Sequence, residues 1–467
     1  MNLAKNFFRY FTPALALGVV ACVALPAASQ PIYTQVSAGD GQSCAVTTNG
    51  AVHCWGANTV FGTLGNGGTA PSGVPVAVRG ISTAAEVRAS LFHTCARLTD
   101  GSVRCWGRGT GGALGQDSFT NSSLPVTLLG FGPAGPAIQL GLGAEHTCVL
   151  SQAKQVFCAG RNDYGQAGQP IIGSSSARAS SVPILNVDEI AIGAYHSCAR
   201  VGGTVSCWGA NTDGQLGDGS LVNSRSSPAP VTGIGDAVAI SAGRFHTCAL
   251  IAPGNVLTNS SIVCWGSNLS GQLGDGSSGG ISRTPVTVAA LGAAGVKPQR
   301  VAAGAQHSCA LLTNQTAQCW GANGYGAIGD GTFISSVSPK TVVGLPAAGN
   351  GINVATAIAA GNDATCVIMT DGGVRCWGMN ETGQGGHGHG GVYQTTPQYV
   401  AAPGCALDLD GDGVAQLTTD AVLLARALRG LGGTAVNNGV TGPGTRTSWA
   451  AIRSHVEQRC GVPGLAP

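Results

Sequence analysis

The sequence predicts an all-β fold, a seven-bladed β-propeller, with a small α-helical calcium-loop domain at the C-terminus. Three observations carry this. One unit recurs seven times at steps of 50 to 61 residues. Every copy holds two cysteines either side of a turn, and many copies have a further short strand before and after that hairpin.

Residues 1–29 read as an export signal. Lys5 and Arg9 give a basic start, Ala14 to Leu25 an apolar run, and Ala27-Ala28-Ser29 a small-residue cleavage site before Gln30. The run is too short for a secure membrane span. Val19-Val20-Ala21-Cys22 resembles a lipid-attachment box, so membrane attachment is expected only if Cys22 is lipidated. The apolar run continues past Cys22, which favours cleavage and a secreted or cell-surface product.

Residues 30–402 are the repeats. The clearest hairpin reads His196-Ser197-Cys198-Ala199-Arg200, a Gly202-Gly203 turn, then Val205-Ser206-Cys207-Trp208-Gly209. Alternating apolar and polar residues around such a turn signal two antiparallel strands. The cysteines sit equidistant from the turn, which places them opposite each other and within disulfide range. The pairs are Cys44 with Cys54, Cys95 with Cys105, Cys148 with Cys158, Cys198 with Cys207, Cys248 with Cys264, Cys309 with Cys319 and Cys366 with Cys376. Setting Cys22 aside, Cys405 and Cys460 remain and are expected to pair. An even set in an exported chain implies disulfides, and the clustered spacing of a zinc site is absent.

Strands such as Ile190-Ala191-Ile192-Gly193 precede the hairpins, and strands such as Pro285-Val286-Thr287-Val288 follow the tails. Four short strands per repeat cannot bury both sheet faces alone. Stacking the sheets around a ring does so, and leaves only short edges. Trp55, Trp106, Trp208, Trp265, Trp320 and Trp377 should fill equivalent spaces between blades, with Ala159 in the third copy. The strand Pro397-Gln398-Tyr399-Val400 is expected to lie beside the first repeat's strands and join the two ends of the ring.

Composition narrows the function. Charged residues are only 9%, well below the usual share of about 25%. Removal of Lys5 and Arg9 leaves 21 basic against 21 acidic residues. A nucleic-acid partner, which needs a basic field, is not expected. Gly is abundant, at 75 residues, but it recurs in register with Trp, Cys and Val, which argues for a packed core.

These residues carry a resemblance. Ala-Gly-x-x-His-Ser/Thr, then Cys-Trp-Gly-x-Asn, then Gly-Gln-Leu-Gly-Asp-Gly is similar to the regulator of chromosome condensation repeat, over roughly residues 32 to 402. The resemblance implies seven blades. It implies two kinds of function: nucleotide exchange on a small GTPase in some eukaryotic relatives, and inhibition of an enzyme by one face of the ring in exported bacterial relatives. The signal and the cysteine pairs place this chain with the exported group.

Residues 403–467 differ in kind. Asp408-Leu409-Asp410-Gly411-Asp412-Gly413-Val414 matches the first half of a calcium loop, with carboxylates at alternate positions and Gly at the sharp turn. The expected ligands are Asp408, Asp410, Asp412, Val414 and Asp420, and the ion would bind weakly because position 12 is Thr419. A helix should follow from Asp420 to Leu428 and a second from about Ser448 to Arg459. The segment resembles one dockerin-type repeat.

His93, His146, His196, His246 and His307 recur at one repeat position, which reads as strand packing rather than catalysis. Asp218, Asp275 and Asp330 read as turn residues, and His387-Gly388-His389 as a loop. There is no nucleophile elbow, zinc-helix motif or phosphate loop, so no catalytic residue and no cofactor other than calcium is assigned. The expected function is an exported, non-enzymatic, monomeric scaffold that binds a protein through one face or its rim loops. Long insertions such as Pro253 to Ser261 should lie at blade rims. The alternatives are an exported enzyme with an unrecognised site, or a guanine-nucleotide exchange factor by family analogy.

Overall fold

The computed structural model describes residues 31–403, apart from 59, 348–352, 389 and 402. Seven four-stranded antiparallel sheets follow one another along the chain. In blade 1, β1 (Tyr33–Ala38), β2 (Gln42–Thr47), β3 (Val52–Gly56) and β4 (Ser72–Ala77) lie side by side in sequence order. The other six blades repeat that order. The first strand of every blade touches the first strands of its two neighbours, so these strands form the inner wall. They are short and rich in Ala, Gly and Ser, which lets seven of them converge on a channel of about 450 Å³.

This order gives the ring two distinct faces. The turn between first and second strands and the long tail between third and fourth strands make one, the loop face. The turn of the cysteine hairpin and the link to the next blade make the other, the hairpin face. The residues 253–261 extend the hairpin of blade 5 as two short 3-10 turns, Pro253–Asn255 and Leu257–Asn259. That insertion therefore stands on the hairpin face, where a blade rim was expected.

All seven repeat cysteine pairs are bridged within their own hairpins, with Cα atoms 4.0–4.1 Å apart. The bridges do more than tie the hairpins. Each is wholly buried and packs against the next blade: Cys44 and Cys54 share a cluster with Trp106, and Cys309 and Cys319 with Trp377. Each of the six blade indoles also donates its N–H to a tail carbonyl of the preceding blade, as Trp265 does to Gln215 at 2.9 Å and Trp320 to Gln272 at 2.9 Å. The glycine in the tail makes room. A Cβ on Gly217, whose φ is +67°, would stand 2.6 Å from the Trp265 nitrogen. Where Ala159 replaces Trp, Leu128 leans over the equivalent Gly115 and Phe131 adds volume, so the joint between blades 2 and 3 stays filled.

The recurring histidines are the second cross-blade element. His93, His146, His196, His246 and His307 are buried, and each Nε2 meets a hydroxyl of the following blade: Thr147, Ser197, Thr247, Ser308 and Thr365, at 2.7–3.0 Å. Each hydroxyl spends its one proton on a tail carbonyl, for example Ser197 on Gln166 at 2.8 Å. The imidazole must therefore be the donor, through Nε2–H, and burial, which lowers its pKa, keeps it neutral. A glycine precedes four of the five, and at Gly193 a Cβ would lie 2.2 Å from the His196 ring; in blade 2 Ser90 takes the place and its hydroxyl meets His93 Nδ1 at 3.0 Å. Gln42 takes this place in blade 1 and donates to the Ser90 carbonyl at 2.9 Å.

Ring closure differs from the sequence expectation. The strand Gln394–Tyr399 pairs with Val374–Gly378 as the outermost strand of blade 7, and β1 pairs only with β2. The repeat begins on an innermost strand and ends on an outermost one, so the chain ends have no strand to exchange. Side chains close the ring: Tyr33, Val36 and Trp55 of blade 1 cluster with Cys366, Ile368 and Cys376 of blade 7, and Val400 packs against them. Trp55 Nε1 and Ser43 Oγ both donate to the Gln384 carbonyl.

The tails are pinned by buried asparagines. Asn211 Oδ1 accepts the Leu216 N–H at 3.1 Å while its amide reaches the Val222 carbonyl at 2.9 Å. Asn162, Asn268 and Asn323 do the same in their blades. Asp218, Asp275 and Asp330 accept the N–H two residues on, as turn residues should. His387 is half-buried, and His389 lies outside the described residues. Also outside them are the export segment with Cys22, the ligands Asp408, Asp410, Asp412, Val414 and Asp420, and the cysteines Cys405 and Cys460.

Candidate interaction face

Within each first turn the scaffold holds the outer two residues, and of the middle two only Ala144 and Ala305 are buried. Blade by blade the middle pair changes: Asp40-Gly41, Leu91-Phe92, Ala144-Glu145, Ala194-Tyr195, Arg244-Phe245, Ala305-Gln306 and Asn362-Asp363. The start of each tail, just after the pinned Asn, adds residues such as Asp163-Tyr164 and Glu381-Thr382. A repeated frame thus displays a non-repeated set of side chains on the loop face.

Those side chains form a continuous band. Phe61 and Phe92 meet edge to face at 6.3 Å, and the Arg108 guanidinium lies over both, at 5.5 and 4.9 Å. Arg108 and Arg161 both pair with Glu145, at 2.7 and 2.5 Å, and Arg161 also pairs with Asp163 at 2.6 Å. Tyr164 then meets Tyr195 edge to face at 5.9 Å, Tyr195 stacks on Phe245 at 6.0 Å, and Arg244 covers Phe245 at 5.2 Å. A hollow of about 370 Å³ opens between Phe92, Arg108, Glu145, Arg161, Tyr164 and Tyr195.

Beyond Arg244 lies the mouth of the central channel, lined by Asp40, with Asp363 on the adjacent turn of blade 7 and within reach of the Asp40 charge. Burial raises the carboxyl pKa of both. At Asp363 the Asp40 charge adds to burial and the value reaches about 6, with Arg244 opposing. Asn362 hydrogen-bonds Asp363 at 2.7 Å. Among the described residues neither carboxylate makes an ion pair. Inside the channel burial also raises Glu189, opposed by its hydrogen bond to Arg200.

The two faces differ in charge. The turns and tails of the loop face carry ten carboxylates against two guanidinium groups, Arg108 and Arg244, while Arg161, Arg178, Arg225 and Arg283 lie on the adjoining strands and Arg178 pairs with Asp117. In the turns and links of the hairpin face, four carboxylates, Asp100, Asp188, Asp236 and Asp371, stand against three basic side chains, Arg79, Lys154 and Lys297, and Arg97, Arg104, Arg200, Lys340 and Arg375 lie at the adjoining strand ends.

No catalytic constellation was expected, and the five His–hydroxyl pairs do not supply one. They resemble a base and its nucleophile, yet both groups are sealed between blades and the hydroxyl proton is committed to a carbonyl. Among the described residues no three His, Cys, Asp or Glu side chains gather as a metal site, and no helix is long and apolar enough to cross a membrane. Sequence reasoning did not single out Phe61, Phe92, Tyr164, Tyr195 or Phe245. A signal was available for three of them: Phe92, Tyr195 and Phe245 each stand immediately before a recurring His.

Two models of the regulator of chromosome condensation (RCC1) repeat match the chain. One covers residues 100–150, 202–250 and 261–311, the other 33–62, 85–113, 137–166, 299–327 and 355–384, together more than half of the sequence. The chain is 29% identical over 329 residues to the Arabidopsis thaliana ultraviolet-B receptor UVR8, covering 68% of this chain and 70% of that protein. It is 30% identical over 274 residues to the human probable E3 ubiquitin-protein ligase HERC6, covering 57% of this chain but only 25% of that protein. For human HERC2 the match reaches 6% of its length. Among solved structures, yeast RCC1 (Prp20) bound to Kap60 superposes with a TM-score of 0.65 at 20% identity, over 79% of this chain and 88% of that one. Human WBSCR16 gives 0.63 at 19% identity, over 72% and 87%. At such identities these likenesses speak for the fold alone.

Proposed function

The chain belongs to the regulator of chromosome condensation (RCC1) repeat family, and from that premise we propose that it is an exported, non-enzymatic scaffold that recognises a protein through its loop face. The observation that carries the proposal is the band from Phe61 to Arg244, aromatic side chains and arginines displayed on a rigid ring. Tyr, Phe and Arg are the residues from which binding hot spots are built. Protein recognition is a known use of this fold, since the yeast relative was crystallised with Kap60 bound. Export is supported by the basic-then-apolar N-terminus and by seven buried disulfides, which belong to an oxidising compartment.

The test is partner capture from the secreted and surface fraction with three baits. The wild type and a hairpin-face variant, Arg104→Ala with Lys340→Ala, should retain the same partner. Phe92→Ala with Tyr195→Ala and Phe245→Ala should lose it by roughly 100-fold or more in affinity, given ~2 kcal/mol for a central aromatic. Retention by the triple variant, or loss by the hairpin-face variant alone, would place recognition elsewhere and end this reading.

We also propose that Asp408, Asp410, Asp412, Val414 and Asp420 hold one calcium ion, on the strength of the sequence pattern. Calorimetric titration of the full chain should give a dissociation constant of ~10⁻⁴–10⁻³ M. The heat should vanish in Asp408→Ala with Asp412→Ala. Heat that persists in that variant, or none in the wild type, would reduce the loop to an acidic turn.

A further inference from the structure

We propose that the partner segment seated on the loop face is cationic, an arginine- or lysine-rich stretch of protein that enters the channel mouth beside Asp40 and Asp363. This rests on the loop face being the recognition surface and adds the chemistry of what it recognises. The first ground is negative charge without an ion pair. Asp40 lines the mouth and Asp363 stands on the adjacent turn, and the nearby Arg244, which rests on the Phe245 ring, opposes the rise of both carboxyl pKa values without forming a salt bridge to either. An incoming ammonium or guanidinium would relieve both the burial and the mutual repulsion of the two carboxylates. The second ground is the aromatic band beside them, whose rings already receive cations: Arg108 rests on Phe61 and Phe92, and Arg244 on Phe245. The third is the charge excess of the whole face, with Asp213, Asp275, Asp330 and Glu381 on the tails of blades 4 to 7. Electrostatic complementarity of this kind steers encounter and selects partners. The hairpin face, richer in basic groups, would repel the same segment.

Proton linkage supplies a readout specific to the mouth. The titratable or charged groups on the seven first turns are Asp40, Glu145, Tyr195, Arg244 and Asp363; the turns of blades 2 and 6 bring none. Asp363, at about 6, changes charge between pH 7.5 and 5, and burial raises Asp40 in the same direction. A cation favours the ionised form, so its affinity should fall as Asp363 takes up a proton.

The experiment uses the full chain with oxidised disulfides and a fluorescent nine-residue arginine peptide, with nona-glutamate as control. Anisotropy at low salt should show binding of nona-arginine only, weakening at least tenfold between pH 7.5 and 5 and as salt is raised. Asp40→Asn with Asp363→Asn should weaken binding at pH 7.5 at least tenfold and abolish most of that pH slope. Phe245→Ala should weaken it several-fold with the slope retained. Absence of nona-arginine binding, or an unchanged affinity and slope in the double Asn variant, would overturn the proposal. If that happens while the aromatic triple variant still loses its captured partner, the loop-face reading stands and only the cationic class fails. If the aromatic variant keeps its partner as well, both fail.

Discussion

Acidification from pH 7 to 4 should collapse the propeller's stability. Burial holds His93, His146, His196 and His246 at a pKa of about 3 and His307 at about 4, against 6.5 for an exposed imidazole. At His146 and His246 neighbouring histidines add to burial. The native pKa lies below the unfolded one, so below pH 6.5 the unfolded chain binds more protons. The stabilising contribution is complete above pH 6.5 and is lost as pH falls toward 3. Each site contributes about 1.4 kcal/mol per pH unit, so five titrating together set a limiting slope of about 7 kcal/mol per pH unit. Asp363, Asp40 and Glu189 act in the opposite sense, since their raised values favour the native state on acidification, but they are fewer and shift less. Urea midpoints measured from pH 7.5 to 4.5 should fall steeply. His→Gln replacements at two of the five positions should flatten the curve, at some cost in stability at pH 7. A midpoint that does not move across that range would mean the imidazoles are solvated.

Reduction should have an even larger effect, and only after unfolding. The seven bridges close separate, non-overlapping loops of 9 to 16 residues. On the chain-entropy model each contributes roughly 2.5–3 kcal/mol, on the order of 20 kcal/mol together. That exceeds the ~5–15 kcal/mol by which ordinary domains are stable. The sulfurs are inaccessible in the native ring, so dithiothreitol alone should release no repeat thiols. With urea present all seven pairs should open, and the chain should not regain its near-ultraviolet spectrum until reoxidised. Recovery of the native spectrum under full reduction would show that packing alone suffices.

The blade was legible because its signals are local and recur. A cysteine step of about ten residues fixes the hairpin, and the turn residues fix its register. The partners of the histidines were one step less visible. His196 bonds Thr247, the residue after the next recurring His, so the same His-Ser/Thr motif supplies donor and acceptor in consecutive copies. Only the ring geometry says that adjacent copies meet there. The closure was misread because Gln394–Tyr399 looks like any fourth strand, and whether such a strand pairs inside its blade or across to the first depends on where the repeat begins. The interaction band was the least legible. Phe92, Tyr195 and Phe245 share the place before a recurring His, but other blades hold Gly41, Glu145, Gln306 and Asp363 there, and these rings with Phe61 and Tyr164 become neighbours only when five blades bring their turns together.

Closure by side chains rather than by a shared sheet makes the joint between blades 7 and 1 mechanically unlike the other six. Elsewhere a link of the chain crosses from one blade to the next, and a parted joint is held close by it. At this joint Ala364 stands where five other blades place His, so the imidazole-to-hydroxyl bond to Ser43 is missing too. What remains is the Trp55 indole, the Ser43 hydroxyl, a few backbone bonds such as Tyr33 N–H to the Gly372 carbonyl, and the shared apolar cluster. The molecule is therefore a clasp bracelet. It can spring open at one place with every blade and every repeat disulfide intact, and because no buried imidazole bridges that place, acid would loosen the five imidazole-bridged joints, from blade 2 round to blade 7, before it touched the clasp.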